Sequence, residues 1–272
     1  MSVSRTLPLT VRQLLKAADA HKVTIPVQIR KELDRRMGLI NAAAELNFTG
    51  KSVPEAVNDS LEAGTDPFTD QGIQEAIVME KLRQMSGTEA LTEVARTRLY
   101  TVVADNLDEI VEAFKPVYDE AGQRLSAAHA VLIAGGMDDL DDERILKAGI
   151  EVARANTEAR EALHTLQALD SAINMLLSII GRLDGTPVGS TVRRLHTGDT
   201  PADDIRMLGK NLTHWAGVSA GHTVSLAGPT ETNKRREHAY AMQEGIEAGQ
   251  ALQARRAVTA FHHGAQAAQL LK

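Results

Sequence analysis

Twelve apolar residues between Ile145 and Leu183 recur at strictly alternating steps of three and four: Ile145, Ala148, Val152, Ala155, Ala159, Ala162, Leu166, Leu169, Ile173, Leu176, Ile180 and Leu183. A period of 3.5 held for that long marks a helical seam of the coiled-coil kind, not a single amphipathic turn. It fixes the fold class as all-α. The first half of the seam is mostly Ala and the second half Leu and Ile, so a partner helix is expected to approach closely near residue 150 and less closely near 175. Glu143 and Lys147, an acid four residues ahead of a base, add local helical support.

The segment before it offers a partner. Ser86 stands three residues ahead of Glu89, the spacing of a capping box. Val103, Leu107, Ile110, Phe114, Val117 and Ala121 then repeat the same alternation, which slips and resumes as Leu125, Ala128 and Leu132. Pro116 sits just before the slip, and proline inside a helix removes a hydrogen bond, so a bend or stutter is expected there. Two arms of roughly 45 residues would each be about 65–70 Å long. The sequence therefore predicts an elongated all-α chain: a basic helical head over 1–87, an antiparallel coiled-coil hairpin over 88–183, and a linker, short helix and long C-terminal helix over 184–272.

Between the arms lies AGGMDDLDDERI, where two glycines precede a run of acids. Glycine past a helix end supplies a left-handed cap, and acids at the next helix start suit its dipole. A calcium loop fails on residue type: counted from Asp139, Arg144 stands at the glycine position and Ile150 at that of the bidentate Glu. The stretch is expected to be the hairpin tip, near 134–139, and no metal or other cofactor is expected.

Composition narrows the function classes. Aromatics are 3% of the chain, and Ala, Leu, Val and Ile carry most of the 43% that is apolar, a mixture suited to helix–helix seams. No uninterrupted apolar run approaches 18 residues, so no membrane span is expected. Cysteine is absent, which removes disulfides, thiolate metal sites and cysteine nucleophiles. The net charge of −6 is unevenly spread: residues 1–51 carry nine Lys/Arg against four Asp/Glu, and residues 232–272 six against three, flanking an acidic middle. Basic ends on an acidic middle suggest partners for the ends or contacts between copies.

Motifs of catalysis match only by letter. In GVSAG, Ser219 would need a strand-to-helix elbow with an acid and a His downstream, yet the motif follows a helix and no Asp comes after it. GTPVGST lacks the lysine of a phosphate loop, and DGTPVGST, 184–191, is expected to be a turn-rich linker. His262 and His263 are adjacent, so on a helix they diverge by about 100°. Thr200 and Pro201 are expected to open a helix, 218–229 to form a small-residue loop, and the remainder to close the chain as one Ala-rich helix weakened by Gly245 and Gly249. No strand pair is expected, and the chain is expected to be non-enzymatic, with no small-molecule substrate.

Three functional expectations follow. The seam residues Ile145, Val152, Leu166, Leu169, Ile173, Leu176, Ile180 and Leu183 would hold a second arm or a partner protein, making a homo-oligomer or larger assembly. The head LTVRQLLKAADAHKVTIPVQIRKELDRR could instead act as a helix–turn–helix that offers Arg12, Lys16, Arg30, Lys31, Arg35 and Arg36 to DNA phosphates. A basic head ahead of an acidic helical hairpin is similar in layout to the small terminase subunits of tailed phages, which bind DNA and form rings through central helices. That layout implies a scaffold, ring or tail accessory of a phage or prophage particle, in the cytoplasm or inside a virus-like particle. Third, Trp215 with Gly217, and Tyr240 with Glu244, resemble the W-x-G and Y-x-x-x-E signals of helical hairpins exported by type VII secretion. Here, however, about a dozen loop residues follow the Trp, and Tyr240 lies near the start of the last helix instead of trailing it.

Overall fold

The computed structural model describes residues 5–45, 50–84, 87–141, 143–209 and 213–270, with side chains placed as far as residue 253 except at 146. The chain is 78% helix and 2% strand, which establishes the all-α class. It divides into two compact units, one of residues 1–16 and 25–106, the other of residues 17–24 and 107–272.

The first unit is built from most of α1 (Leu7–Ala20), α2 (Val27–Glu45), α3 (Val53–Glu62), α4 (Gln71–Gln84) and α5 (Gly87–Asp105). Helices α2 and α5 pack together, as do α3 and α4. The buried residues of α2 (Ile29, Leu33, Met37, Ile40 and Ala43) recur every three or four positions, as do Ala95, Leu99 and Val103 of α5. This spacing turns one stripe of each helix inward. Helix α3 starts with a reciprocal cap: the Ser52 amide donates to Glu55 Oε2 at 2.8 Å, and the Glu55 amide donates to Ser52 Oγ at 3.4 Å. The capping box expected at Ser86 involves a position outside the described residues.

The second unit contains α6 (Leu107–Ala134), a short 3-10 turn (Glu143–Leu146), α7 (Ile150–Ile180), α8 (Pro187–Arg194), β1 (Leu195–His196), α9 (Ala202–Gly209), α10 (His214–Ser219), β2 (Thr223–Val224) and α11 (Pro229–Leu270). Helices α6 and α7 make its most extensive packing, and they run in opposite senses: Gly135 lies against Val152, Arg124 against Glu158 and Tyr118 against Asp170. A Cβ on Gly135 would stand 2.9 Å from Val152 Cγ2, so the helices are in close approach at that end.

Several sequence expectations change in detail. The first arm is not one helix from 88 to 134. It breaks at Asn106, whose side-chain amide donates to the Val102 carbonyl at 2.7 Å, and α6 begins at Leu107. Helix α6 then runs through Pro116. Helix α6 ends in a glycine cap: Gly136 adopts φ 74°, Met137 N–H donates to Leu132 O and Gly136 N–H to Ile133 O.

The acids do not begin the second arm, because the 3-10 turn intervenes and α7 starts only after Gly149, at φ 109°. The acidic loop is drawn back onto α7 by Arg160, which donates to Leu140 O at 2.8 Å and to Asp141 at 2.5 Å. Residues 187–194 of the expected linker are helix, capped by Thr186 and begun by Pro187. A two-residue antiparallel pair, Leu195 opposite Val224 and His196 opposite Thr223, forms where no strand was expected.

By length and composition α7 is the one helix among the described residues that would pass as a membrane span, with a mean hydropathy of 1.2 in its richest 18-residue window. Of that window, 44% is buried within the chain.

Candidate functional site

Asp170 interrupts the apolar run of α7, and burial of a lone carboxylate there would be costly without partners. Four side chains from three other elements supply them. Tyr118 of α6 donates its hydroxyl to Asp170 Oδ1 at 3.2 Å. Arg193 Nη1 lies 3.5 Å from Oδ1, and Arg194 Nε lies 3.0 Å from Oδ2, both from the C-terminal turn of α8. His214, which opens α10, places Nε2 at 3.2 Å from Oδ2 and 2.7 Å from Tyr118 Oη. A proton on Nε2 can thus be given to the carboxylate while the phenol donates to the other oxygen. The rings of Tyr118 and His214 meet edge to face, with centroids 5.8 Å apart.

Burial sets the electrostatics. The side chains of Asp170 and Arg193 are 8% and 4% exposed, and Tyr118 is fully enclosed. Burial pushes the Tyr118 phenol well up, reinforced by the Asp170 charge, so it stays protonated and able to donate. For Asp170 burial pushes upward, but the His214 hydrogen bond and the charges of Arg194 and Arg193 outweigh it, holding the carboxyl below its ordinary value. Burial lowers Arg193 despite the attraction of Asp170, and neighbouring Arg194 pushes the same way. Arg193 Nε and Nη1 and Arg194 Nε are buried without an aligned hydrogen bond among the described residues, and of these Nη1 and the Arg194 Nε lie beside the Asp170 charge. The cluster joins α6, α7, α8 and α10 through a single carboxylate. Its donors converge on one acceptor already within the chain, an arrangement that fixes helices in place.

A second arginine closes the neighbouring turn. Arg235 of α11 directs Nη1 to the carbonyls of Val192, Leu195 and Ser225 at 3.1–3.3 Å, so one cation caps the end of α8 and ties it to β1 and to the residue that follows β2. Arg236 reaches Asp184 at 2.7 Å, and Asp184 in turn accepts from the Thr186 amide and hydroxyl that precede α8.

The residues singled out from the sequence are distributed as follows. Of the seam, Val152, Leu166, Leu169, Ile173, Leu176 and Ile180 are buried on α7, and Ile145 is buried in the 3-10 turn. Leu183 lies past the helix end and is 39% exposed. The buried seam residues are thus covered inside one chain.

The basic residues of the head are engaged locally: Arg12 donates to Asn41 at 2.9 Å, Arg30 pairs with Asp34 at 3.3 Å, and Arg35 and Arg36 share Glu32 at 2.8 and 2.7 Å. Lys16 and Lys31 are exposed. Trp215 stacks edge to face on His129 at 4.8 Å and donates to the Asp138 carbonyl at 3.4 Å, tying α10 to the turn after α6. Gly217 is needed for contact, since a Cβ would stand 2.6 Å from Leu195. Tyr240 is 40% exposed on α11, with exposed Glu244 one turn further on. Ser219 Oγ lies 3.2 Å from His129 Nε2 at the exposed end of α10.

The buried cluster was not anticipated as a unit. Its one signal in the sequence is Asp170 inside LQALDSAINMLL, an acid where the pattern is otherwise apolar. Among the described residues no group of three or more His, Asp and Glu side chains is placed to hold a metal ion. No protein-family model matches the chain, and neither a curated protein nor a solved structure matches it.

Proposed function

We propose that the chain is a non-enzymatic assembly protein that associates through helical surfaces. In this reading α6 and α7 form a hairpin of the coiled-coil kind, locked by the Asp170 cluster, and serve as the rigid body from which α11 reaches a partner. The observation that carries it is the state of α11: the helix spans Pro229–Leu270, yet every side chain from Glu244 to Gln253 is exposed. A helix with no covered face has little to hold it together in water, because most helical stability in proteins comes from packing. A covering partner supplies what the described residues do not.

The layout shared with small terminase subunits supports a particle component as the setting, by analogy alone. The nucleic-acid reading is weakened because Arg30, Arg35 and Arg36 are engaged with acids of their own helix.

Sedimentation velocity of the full chain over a hundredfold concentration range, at low and high salt, tests the proposal. Mass-action growth of a larger species is expected. A sedimentation coefficient unchanged over the whole range would remove association between copies as the basis of the reading.

A further inference from the structure

We propose that the buried guanidinium of Arg193, at the end of α8, is a binding site for one small monovalent anion of the chloride class.

Charge around Asp170 does not balance. Two guanidiniums, Arg193 and Arg194, share one carboxylate with the Tyr118 hydroxyl and the His214 ring. A second proton on His214 would only enlarge the positive excess. Both carboxylate oxygens are already taken: Oδ2 has Arg194 Nε at 3.0 Å and His214 Nε2 at 3.2 Å, and Oδ1 has the Tyr118 hydroxyl at 3.2 Å. Arg193 Nη1 is the most distant of the four, 3.5 Å from Oδ1, and makes no aligned hydrogen bond there. The surplus cation is therefore Arg193, and it is the more deeply buried of the two arginines.

A guanidinium is planar, and its Nε–H edge faces the side opposite Nη1. With Nη1 toward Asp170, the Nε–H of Arg193 is turned away from that carboxylate, buried and without an acceptor among the described residues. A charged donor left in that state is costly, and an acceptor of negative charge relieves it. The chain around it is closed and apolar: the Arg193 carbonyl accepts the Ala227 amide at 2.8 Å, and Val192, Leu195, Leu226 and Ala227 are all buried. In such surroundings a cation attracts an anion far more strongly than in water. Arg235 adds positive charge at the same helix end through the carbonyls of Val192 and Leu195, while its own counter-ion, Glu231, is half exposed.

The size of the excess selects the ligand. One surplus charge matches one negative charge, so a singly charged ion such as chloride balances Arg193. A divalent phosphate or sulfate would bury a second negative charge without a partner. Asp170 competes for the same cation, which gives the site a signature: removing the carboxylate charge tightens anion binding instead of weakening it.

Thermal unfolding of the full chain in sodium chloride and in sodium gluconate, at equal ionic strength, tests the site. Chloride is expected to raise the melting temperature of the second unit saturably, by roughly 5–10 °C at a hundredfold excess over its dissociation constant, and gluconate is not. Chlorine NMR of the same protein is expected to show line broadening that bromide relieves. Arg193→Met is expected to abolish both effects, and Asp170→Asn to lower the chloride dissociation constant about tenfold or more. Equal responses to chloride and gluconate would mean screening alone and would overturn the site. A chloride response that survives in Arg193→Met, or one that does not tighten in Asp170→Asn, would also overturn it. Greater stabilisation by phosphate or sulfate than by chloride would overturn the ligand class. Where Arg193→Met fails to fold, Asp170→Asn and the chlorine line width decide.

Discussion

Replacing Asp170 by Asn keeps the shape of the side chain and removes its charge. Arg193, 4% exposed, and Arg194, 21% exposed, then share the interior with no counter-charge, while Tyr118 and His214 meet a neutral amide. Removing one partner of a buried pair costs about 3–5 kcal/mol, chiefly because an uncompensated charge is left behind. For a unit of this size, each kcal/mol moves the melting temperature by about 2–4 °C, so the expected drop is roughly 6–20 °C. Differential scanning calorimetry reads it directly, and the first unit, residues 1–16 and 25–106, holds none of the cluster residues and serves as an internal reference.

A double-mutant cycle makes the attribution specific. In an Arg193→Met, Arg194→Met background the same Asp170→Asn change is expected to cost less than half as much, since the stranded charges are gone. A drop below 2 °C in the wild-type background, or an equal drop in both backgrounds, would refute the claim that Asp170 neutralises the two arginines.

Three further outcomes are expected. Asp170 and Asp184 both have folded pKa values held below their ordinary ones, so the stability they contribute is complete above about pH 4–5 and is lost as pH falls through those lowered values. Acid titration by circular dichroism should show a shallower loss in Asp170→Asn, and an unchanged slope would contradict the assignment. Burial raises Asp119, which contributes in the opposite sense and favours the folded state toward lower pH. Leu166, with no exposed surface, should cost about 2–5 kcal/mol as Ala in a chemical melt, and Leu166→Asp should abolish folding of the second unit. A fully folded Leu166→Asp chain would mean the α6–α7 packing is misassigned. Gly122→Ala would set a Cβ 2.6 Å from Val224 Cβ and 2.8 Å from its carbonyl, so destabilisation of about 1–3 kcal/mol is expected, with loss of amide protection at the β1–β2 pair. Wild-type protection there would show that the strands do not rest on α6.

The sequence was most legible where one rule governs the chain. The step of three and four located the buried face of α7 from Val152 to Ile180, and two glycines located the end of α6. The same periodicity was blind to the break at Asn106. Val103 and Leu107 are both buried and four residues apart, so the apolar pattern continues across the interruption with no Gly or Pro to mark it. What ends α5 is a side-chain amide taking up a helical carbonyl, a local competition that hydrophobic pattern does not record.

Helix α8 went unread for another reason. Its Thr186–Pro187 start is the same signal that was read at Thr200–Pro201, but it lies in a Gly-rich stretch whose composition suggested a linker. The buried cluster was beyond reach altogether: its members stand up to 96 positions apart, and only tertiary packing of four helices brings them to one carboxylate. The arginines judged available for nucleic acid show the converse, since charge counted along a sequence does not say which charges already pair within a helix.

The most direct test of the account is amide hydrogen exchange along α11, measured at low and high protein concentration. Isolated helix opens readily, while helix packed against a partner does not. The account predicts that residues 244–270 are weakly protected in dilute protein and gain protection as concentration rises, while the segment from Pro229 to Gln243 is protected throughout. Exchange over 244–270 that is fast at every concentration would contradict it, because no second copy would then be covering the helix.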